Sequence, residues 1–547
     1  LFRSKTVCLF SVLYQFVLMI ESDRQTVFLI GKNMKHHIIV VLLLSIYSIS
    51  GAEIVTCSLP FCYRESDSYQ LSVDSVSIPI TYYSDIYNYA HFSMKGKITI
   101  TITAKEEIKT YRISPLRTEL EACVNGRTLT FVMERSEYLI VKLNQLPDLI
   151  LAVDELETDI PSREASNVYD ISSLDYNADS EGKALSTQAI QNAINDASYH
   201  GGGIVYIPSG VYLCGNLVLK SNVAIYLEAG AVIRGTGKRE DYTVHFRKES
   251  LKMDGTWFIS TEKNASNIKL YGRGTIDGNG LAMRLNDRFL NNLLVPLQCH
   301  SLTVDGIVFR DSGLWGVVVT RSHNVTIKDI KIFNENDIAY ENDAMDIQES
   351  QNVLVRKAIA VSEDDTYSTK TWSEKTDIAS NWCGKSEELK NVVFDNCIGW
   401  SRCAAFKIGY GVFQNQSNII FRNGVAYRCM RAIAINHRYG GHIIDNVLFE
   451  NIDIEGFWPR KYRDSRWLDI SMKNGGVIKN VYLKNIRVRA FGDKPSILKT
   501  VTNSFLENVV FENIQIPGEC LYAKTLNEMN ILGVSQSSGQ IDIKIRK

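Results

Sequence analysis

The chain has 547 residues, of which 45% are hydrophobic and 22% are charged, and its formal net charge at pH 7 is −1. This length exceeds the roughly 100–200 residues of a typical domain, so we expect more than one structural unit. A nearly neutral chain lacks the basic surface that nucleic acids and anionic membranes require, so neither is an expected partner.

The N-terminal segment has the pattern of an export signal. Met34 begins a short basic stretch, an apolar run follows at 38–46, and small residues at 50–52 suit cleavage. The run is shorter than the ~20 apolar residues that a transmembrane helix needs. We therefore predict that residues 1–52 are an upstream extension plus a signal peptide. The mature chain is then exported, to a periplasm or out of the cell, with no membrane association after cleavage.

Residues 53–157 alternate apolar and polar positions in short segments. The segments "SVSIPITYY", "GKITITITA" and "RTLTFVMER" are separated by turns rich in Gly, Asn and Lys, which is typical of antiparallel strands. We predict a small N-terminal β-sandwich here, packed on the end of the domain that follows.

One amphipathic helix is predicted before the next strands. Apolar residues recur at helical spacing from Ala189 to Ile194, Ser186 is the predicted N-cap, and glycines at 201–203 end the helix. The first edge strand of a solenoid needs a cap, so we expect this helix to close one end of a domain formed by residues 165–547.

The rest of the chain repeats one short pattern, an Asn followed by Val or Ile and an alternating strand, at intervals of about 20–40 residues. Each strand buries one face, so stacked neighbours must complete the core. We predict an all-β domain, a right-handed single-stranded parallel β-helix, with Asn at left-handed turns where it can bond along the stack. A propeller and a leucine-rich repeat fit less well, because several units are too short for four strands and none carries the leucine consensus and helix. The pattern occurs at Asn267-Ile268, Asn324-Val325, Asn352-Val353, Asn391-Val392, Asn418-Ile419, Asn446-Val447, Asn480-Val481 and Asn508-Val509.

Three aspartates within these repeats are the candidate catalytic residues. Asp364 and Asp365 follow Asp343 by 21 and 22 positions, which places them one turn apart. Glycosidic hydrolysis with inversion needs an acid and a base about 6.5–9.5 Å apart, and neighbouring strands lie about 4.8 Å apart. Crowded carboxylates also raise one pKa. We assign Asp364 as general acid, with Asp343 and Asp365 sharing the water. The alternative is that they are ordinary turn aspartates.

Several segments resemble glycoside hydrolase family 28, the polygalacturonases, whose fold is a pectin lyase-like β-helix. The helix with "GGGIVYIPSGVYLCGNLVLKSNVAIYLEAGAVIRG", together with "LYGRGTIDGNG", is similar to the first segments of that family. "ENDAMDI" resembles its Asn-Thr-Asp-Gly-x-Asp-Ile segment, and "EDDTYSTK" resembles its Gly-Asp-Asp-x-x-x-x-Lys segment. The resemblance implies catalytic roles for Asp343, Asp364 and Asp365, and we add the matching Asp346 and Lys370 to the substrate-binding candidates.

The departures from that family concern its basic residues. Ala404 stands where the family has the His of a His-Gly motif, and Ala434-Ile435-Asn436 stands for Arg-Ile-Lys. Those residues hold the uronate carboxylate in polygalacturonases, so their loss argues against galacturonate beside the cut and favours a neutral or differently charged sugar. Family 49, the dextranases, is similar in layout, with an N-terminal β-sandwich before its β-helix.

Further candidates could line a sugar groove. Lys407, His437 and Arg438 lie on successive repeats and offer donors to a substrate. Trp372, which follows the aspartate repeat, is the best candidate among the tryptophans for stacking on a sugar. Each could also be an exposed basic residue or a packed ring. The remaining tryptophans considered for stacking are Trp315, Trp382, Trp458 and Trp467.

The sequence as a whole predicts an exported, inverting, monomeric glycoside hydrolase whose partner is a polysaccharide or oligosaccharide. Its eleven cysteines show no metal-binding spacing, and the chemistry needs no cofactor or metal. Long loops at 371–388 and 457–466 could close one end of the groove and favour exo action. Two alternatives stay open. One is a Ca²⁺-dependent polysaccharide lyase, with the aspartates as ligands and Lys407 or Arg438 as base. The other is a noncatalytic glycan-binding β-helix.

Overall fold

The computed structural model describes residues 52–334, 340–459, 464–518, 521–535 and 540–546. The predicted signal segment, including Met34, lies outside this range. Among the residues that the structure describes, none of the helices has the length and apolarity that crossing a membrane would need.

Two sheets form the N-terminal part of the described chain. One has the order β1-β5-β11-β10-β7 with β4 beside β5, and the other has the order β3-β2-β6-β9-β8. Alternate side chains such as Ile100, Ile102 and Phe131 point between the sheets and form a buried core, so the predicted β-sandwich is confirmed. Its strands are β1 (Glu53–Thr56), β2 (Tyr69–Val73), β3 (Val76–Ile78), β4 (Thr81–Tyr82), β5 (Tyr87–Lys95), β6 (Ile98–Ala104), β7 (Tyr111–Ser114), β8 (Ala122–Asn125), β9 (Thr128–Met133), β10 (Tyr138–Leu143) and β11 (Asp148–Glu155).

Nearly all of the following strands stack in parallel as a right-handed β-helix, as predicted, whereas the short strands Phe246–Lys248 and Leu521–Tyr522 each pair antiparallel with a neighbour. They are β12 (Val168–Asp170), β13 (Glu181–Leu185), β14 (Gly203–Ile207), β15 (Gly210–Cys214), β16 (Leu217–Leu219), β17 (Val223–Leu227), β18 (Ala231–Gly235), β19 (Phe246–Lys248), β20 (Met253–Thr261), β21 (Ser266–Gly272), β22 (Thr275–Asp277), β23 (Phe289–Val295), β24 (His300–Asp305), β25 (Val308–Arg310), β26 (Val317–Thr320), β27 (His323–Phe333), β28 (Met345–Gln348), β29 (Gln351–Ser362), β30 (Tyr367–Thr371), β31 (Leu389–Ser401), β32 (Ala404–Val412), β33 (Gln416–Arg422), β34 (Val425–Arg428), β35 (Arg431–Gly440), β36 (Ile443–Glu450), β37 (Asp453–Ile454), β38 (Arg466–Met472), β39 (Gly476–Lys484), β40 (Arg487–Val488), β41 (Ser496–Lys499), β42 (Ser504–Glu512), β43 (Gln515–Ile516), β44 (Leu521–Tyr522), β45 (Ile531–Ser535) and β46 (Gln540–Arg546).

These strands belong to two long sheets that share one apolar core. The narrow sheet consists of β16, β20, β23, β26, β28, β30, β32, β35, β38, β41 and β45 in that order, with β19 beside β20. The other strands form the wide sheet. Strand content ends at Glu155 and resumes at Val168, and the predicted domain boundaries at 157 and 165 stay predictions.

Asparagine ladders mark the corners of the wide sheet. Asn391, Asn418 and Asn446 all have positive φ, and each side-chain amide donates to the Asn of the preceding turn at 2.8 Å. Asn tolerates the left-handed conformation better than most residues, and its amide can both donate and accept. The predicted use of Asn at the turns is confirmed.

Helix α1 (Thr187–Tyr199) covers the first turn of the β-helix and buries Ile190, Ala193 and Ile194. Ser186 occupies the N-cap position, as predicted, and its carbonyl accepts from the Ile190 amide at 3.0 Å. Its hydroxyl donates to the Asp179 carbonyl and does not cap the helix. The other helical elements among the described residues are α2 (Gly280–Asn286) and two short 3-10 turns at Leu116–Thr118 and Arg239–Asp241.

The sandwich packs on the side of the β-helix and not on its end. Tyr87 and Ile150 of the sandwich share a buried cluster with Phe333, Ile359 and Trp400, which lie on the outer face of the wide sheet. The expected end-on packing is therefore wrong. The middle turns of the wide sheet are apolar on both faces, and the sandwich covers the outer one.

Candidate active site

The candidate site lies on the outer face of the narrow sheet. One row of side chains crosses five successive turns in register, and it consists of Asp346, Ser368, Lys407, Ala434 and Asp469. The residues on either side of this row point into the core, as the period of two along a strand requires. The chemistry of the face is therefore set by every second residue of each strand.

The three candidate aspartates precede β28 and β30 at one corner of this face. The Ala344 amide donates to the Asp365 carbonyl at 2.8 Å, and the Asp364 amide donates to the Asn342 carbonyl at 3.3 Å. These bonds place Asp343 and Asp365 in adjacent turns, as the spacing of the sequence predicts. Asp343 and Asp365 are almost fully buried, whereas Asp364 is partly exposed.

Two lysines compensate the negative charge of this cluster. The Lys370 ammonium contacts Asp343 and also donates to Asp346 at 2.9 Å. Lys407, from the second turn after Asp343, donates to Asp365 at 2.6 Å. Lys407 was expected to line the groove, but it is 2% exposed. Its position fits a role in holding Asp365 better than direct contact with a substrate.

The environment separates the pKa values of the adjacent carboxyls. Burial, and then the charge of Asp365, raises the pKa of Asp364. Burial would also raise the pKa of Asp365, but the ammonium groups of Lys407 and Lys370 outweigh it, so this pKa lies below its ordinary value. Burial raises the pKa of Asp343 well above its ordinary value, and Lys370 offsets only part of the rise. Asp364 is thus suited to carry a proton while Asp365 is ionised.

Asp346 and Lys370 are buried and bond to other side chains of the protein. Asp346 is fully buried, and it accepts bonds from Ser368, Lys370 and, at 3.3 Å, Gln348. Both residues were predicted to bind substrate. The structure places them beneath the aspartates, where they bond to each other and position Asp343.

The positions that depart from the basic motifs carry small or neutral side chains, and one ion pair lies beside them. Ala404 pairs with Arg431 of the next turn, and Ala434 lies in register between Lys407 and Asp469. The Asn436 amide donates to Asp469 at 3.0 Å, and the Arg431 guanidinium donates to the same carboxylate at 3.0 Å. Sequence reasoning missed Arg431 and Asp469. Only the strand register brings them beside Ala404, so no local sequence pattern indicates their position.

His437 does not face the groove. It pairs in register with Met472, which belongs to the core, and its side chain is fully buried. Its Nε2 lies 2.8 Å from the His442 carbonyl oxygen. The prediction that His437 lines the groove is therefore wrong, because alternation along β35 turns this ring inward with Ile433 and Ile435.

The tryptophans differ in their surroundings. Trp467 is a core residue whose indole donates to the Met529 carbonyl at 2.7 Å, and Trp458 lies in the cluster under the sandwich. Trp315 and Trp382 pack together on the outer face of earlier narrow-sheet turns. Trp372 is partly exposed at the end of β30 and is the tryptophan placed best to meet a substrate.

The loop at 372–388 covers the narrow sheet on the N-terminal side of the aspartates. Its residues Ile378 and Trp382 pack against Trp257 and Leu290 of earlier turns. Arg321 anchors it from below, since this fully buried guanidinium pairs with Glu349 at 2.7 Å and donates to the Gly384 carbonyl at 2.9 Å. The second predicted wall, at 457–466, lies partly outside the described residues.

One group of possible metal ligands occurs at the site. Asp364, Asp365 and Cys403 bring ligand atoms within 4.8 Å of one another. Lys407 already pairs with Asp365, and the Arg431 guanidinium lies 3.6 Å from the Cys403 sulfur. Ca²⁺ takes 6–8 oxygen ligands, and positive groups occupy the positions that such a shell would need.

The region that contains these aspartates is similar to a known family. Residues 204–387 match the model of glycosyl hydrolases family 28. Among curated relatives, the probable rhamnogalacturonase E of Aspergillus oryzae (strain ATCC 42149 / RIB 40) is 26% identical over 307 residues, which are 55% of this chain and 63% of the relative. The exo-poly-alpha-D-galacturonosidase of Dickeya chrysanthemi is 33% identical over 114 residues, 19% of each chain.

The chain spans a little under two thirds of the length of the rhamnogalacturonases that it matches. A solved family 28 structure, the exopolygalacturonase of Yersinia enterocolitica, superimposes with a TM-score of 0.51 at 16% identity and covers 82% of this chain and 96% of its own. At this identity the likeness concerns the fold, and it agrees with the parallel β-helix seen here.

Proposed function

We propose that this chain is an exported glycoside hydrolase that cleaves a pectic polysaccharide with inversion at the anomeric carbon. The observation that carries the proposal is the cluster of Asp343, Asp364 and Asp365 at one corner of adjacent turns, within the region that matches the family 28 model. Lys370 and Lys407 bond to this cluster, and the raised pKa of Asp364 beside the lowered pKa of Asp365 agrees with an acid next to a base. Export rests on the signal pattern before residue 53.

One proton transfer occurs on each side of the glycosidic bond. Asp364 gives its proton to the glycosidic oxygen as the bond to the anomeric carbon breaks. Asp365, whose carboxylate is ionised, takes a proton from the water that attacks the opposite face of the sugar, and Asp343 from the preceding turn shares the binding of that water. Attack from that face inverts the anomeric centre. Lys370 and Lys407 hold these two carboxyl groups in place, and both lysines lower the pKa of Asp365.

The substrate class is proposed from the relatives and from the residues at the departing positions. Relatives named as rhamnogalacturonases and exo-poly-alpha-D-galacturonosidase support a pectic chain. Ala404, Ala434 and Asn436 carry no positive charge. The neighbouring Arg431 guanidinium is already paired with Asp469, so we propose that the enzyme is not strict for galacturonate at the subsite next to the cut. The loop at 372–388 covers one end of the face and supports attack from a chain end.

The lyase alternative has weaker support. A lyase base must lose its proton near neutral pH. Burial alone would lower the pKa of Lys407, but the negative charge of Asp365 outweighs burial, so the pKa of Lys407 is raised. A permanently charged lysine serves poorly as a base. Noncatalytic glycan binding stays the alternative that experiment must exclude.

The test is release of reducing sugar from a panel of pectic and neutral glycans. The unmodified protein, Asp364→Asn and the control Asp542→Asn, whose side chain is exposed on the last strand, are compared on each glycan. Release from a pectic glycan by the unmodified protein and the control, lost in Asp364→Asn, supports the proposal. Binding without release by any of the three proteins contradicts it.

A further inference from the structure

Aromatic side chains gather at the edge of the narrow sheet where its strands end. Three consecutive turns contribute them: Trp372 after β30, Tyr410 and Phe413 at the end of β32, and Tyr439 in β35. Ring centroids lie 6.5 Å apart for Trp372 with Phe413 and with Tyr439, and 6.4 Å apart for Tyr410 with Tyr439. We call these four residues the aromatic edge.

Most of the aromatic edge lies outside the hydrophobic core. Tyr410, Phe413 and Tyr439 belong to none of the buried clusters, and Tyr439 is 40% exposed, whereas Trp372 is partly exposed and also packs against the cluster of Trp315. Rings that serve only packing are usually covered, because burying their apolar area is what stabilises the fold. The exposed Tyr439 ring and the partly exposed rings beside it instead present apolar surface to solvent, which suits the apolar face of a sugar.

Arg438 lies between two of these rings. Its guanidinium carbon is 5.1 Å from the Tyr410 ring centre and 5.2 Å from that of Tyr439. Within the described part of the chain, no carboxylate forms an ion pair with it, whereas Arg431 pairs with Asp469. A planar guanidinium held against rings and lacking an acidic partner is ready to take a carboxylate through two parallel hydrogen bonds.

Tyr410 connects this edge to the aspartates. The Lys407 ammonium lies 3.7 Å from the Tyr410 ring centre and 2.6 Å from Asp365. Arg438 contacts the same Tyr410 ring, with its guanidinium carbon 5.1 Å from the ring centre. A sugar chain with its scissile bond at the aspartates would place a neighbouring residue, not the residue being cut, on the aromatic edge.

We propose that the aromatic edge and Arg438 form a subsite for a uronic acid residue of the substrate. The rings stack on the sugar face, and Arg438 binds the carboxylate. This inference rests on the proposed function, and it gives the substrate an order: a neutral sugar beside Ala404 and Ala434, and a uronate farther along the chain. Arg438 was predicted as a groove residue, whereas Tyr410 and Tyr439 were not recognised from the sequence.

The test measures binding, so that it does not depend on turnover. The full chain carrying Asp364→Asn is titrated with pectic oligosaccharides that contain uronates and with the same oligosaccharides after reduction of their carboxyl groups to alcohols. A hydrogen bond to a charged group contributes about 1.5–3 kcal/mol, so carboxyl reduction should weaken binding roughly 10- to 100-fold. Adding Arg438→Gln should weaken binding of the uronate form by a similar factor and leave the reduced form unchanged.

The rings are tested in the same background. Tyr439→Ala should weaken binding of both the uronate and the reduced forms, whereas Tyr439→Phe should keep it, since stacking needs the ring and not the hydroxyl. Tyr199→Ala, an exposed tyrosine at the end of α1, is the matched control and should change neither. Unfolding temperatures of all variants are compared to exclude loss of fold.

Three results would overturn the subsite. They are equal weakening of both sugar forms by Arg438→Gln, no effect of Arg438→Gln on the uronate form, and no binding of either form by the Asp364→Asn protein. The proposed function is judged separately, by hydrolysis with the unmodified protein. If the unmodified protein hydrolyses the glycan but Arg438→Gln weakens binding of the uronate and reduced forms equally, the proposed function is kept and the subsite is rejected.

Discussion

Replacing Lys407 by Met tests how the site balances its charges. Lys407 and Asp365 are 2% and 1% exposed, and the ammonium lies 2.6 Å from the carboxylate. Met keeps the length and the apolar stem of the side chain but leaves Asp365 without its closest positive charge. Removing one partner of a buried ion pair costs about 3–5 kcal/mol of stability, because the remaining charge is buried without compensation.

This loss depends on pH in a defined direction. The pKa of Asp365 is below its ordinary value in the unmodified protein, despite burial, because of Lys407 and Lys370. Its carboxylate therefore contributes stability above the pKa of the unfolded chain, and that stability is lost as pH falls through the folded value. In Lys407→Met the pKa of Asp365 rises, because burial is then opposed chiefly by Lys370. The variant should therefore lose more stability near pH 7 than near pH 4, since the Asp365 carboxyl takes up a proton and loses its uncompensated charge as the pH falls.

The assay is urea unfolding followed by tryptophan fluorescence, near pH 7 and near pH 4. Lys479→Met is the matched control, because Lys479 and Asp445 form a pair at 3.5 Å with side chains 35% and 34% exposed, for which a loss of at most about 1 kcal/mol is expected at either pH. The acidic limb of the kcat/KM profile should also move to higher pH in Lys407→Met. An equal loss of stability at both pH values, or a loss no larger than that of the control, would refute the reasoning.

Further predictions concern the loop, the ladder and the pH profile. Arg321→Met leaves the buried Glu349 carboxylate without its positive partner, although the Trp372 and Glu387 amides still donate to it. The change should cost up to about 3–5 kcal/mol and speed proteolysis within 372–388; unchanged cleavage would count against the anchor. Asn418→Ala removes its side-chain hydrogen bonds to Asn391 and Asn446. It should lower the free energy of unfolding in urea by about 1–2 kcal/mol. A loss below about 0.5 kcal/mol, as for an ordinary surface substitution, would show that the ladder does not stabilise the fold. The kcat/KM profile should be bell-shaped, with an acidic limb from Asp365 below the ordinary Asp pKa and an alkaline limb from Asp364 above it. A profile without an alkaline limb would exclude Asp364 as the acid.

The parts of the structure that a local pattern encodes could be predicted from the sequence. Asn391 and Asn418 reveal the turns because each is followed by an apolar strand, and the aspartates lie in short contiguous segments whose spacing equals one turn. The inward direction of His437 was also readable, since it continues the alternation of Ile433 and Ile435.

Other features depend on contacts between distant segments. Arg431 and Asp469 meet only through the register of β35 and β38, and the loops between strands vary too much in length to align them from spacing alone. The side-on packing of the sandwich had one signal in the sequence. In β29, Ala358, Ile359, Ala360 and Val361 are apolar at successive positions and all buried, which indicates a strand covered on both faces. The identity of its cover could not be inferred from that run.

The most direct test of the central claim is proton NMR of the anomeric configuration during the first minutes of hydrolysis of a pectic oligosaccharide. With inversion, the first product should have the configuration opposite to that of the bond cut, and Asp364→Asn should form no product. A first product with retained configuration, or an unsaturated sugar, would contradict the assignment of Asp364 as acid and of Asp365 with Asp343 as the water-binding pair.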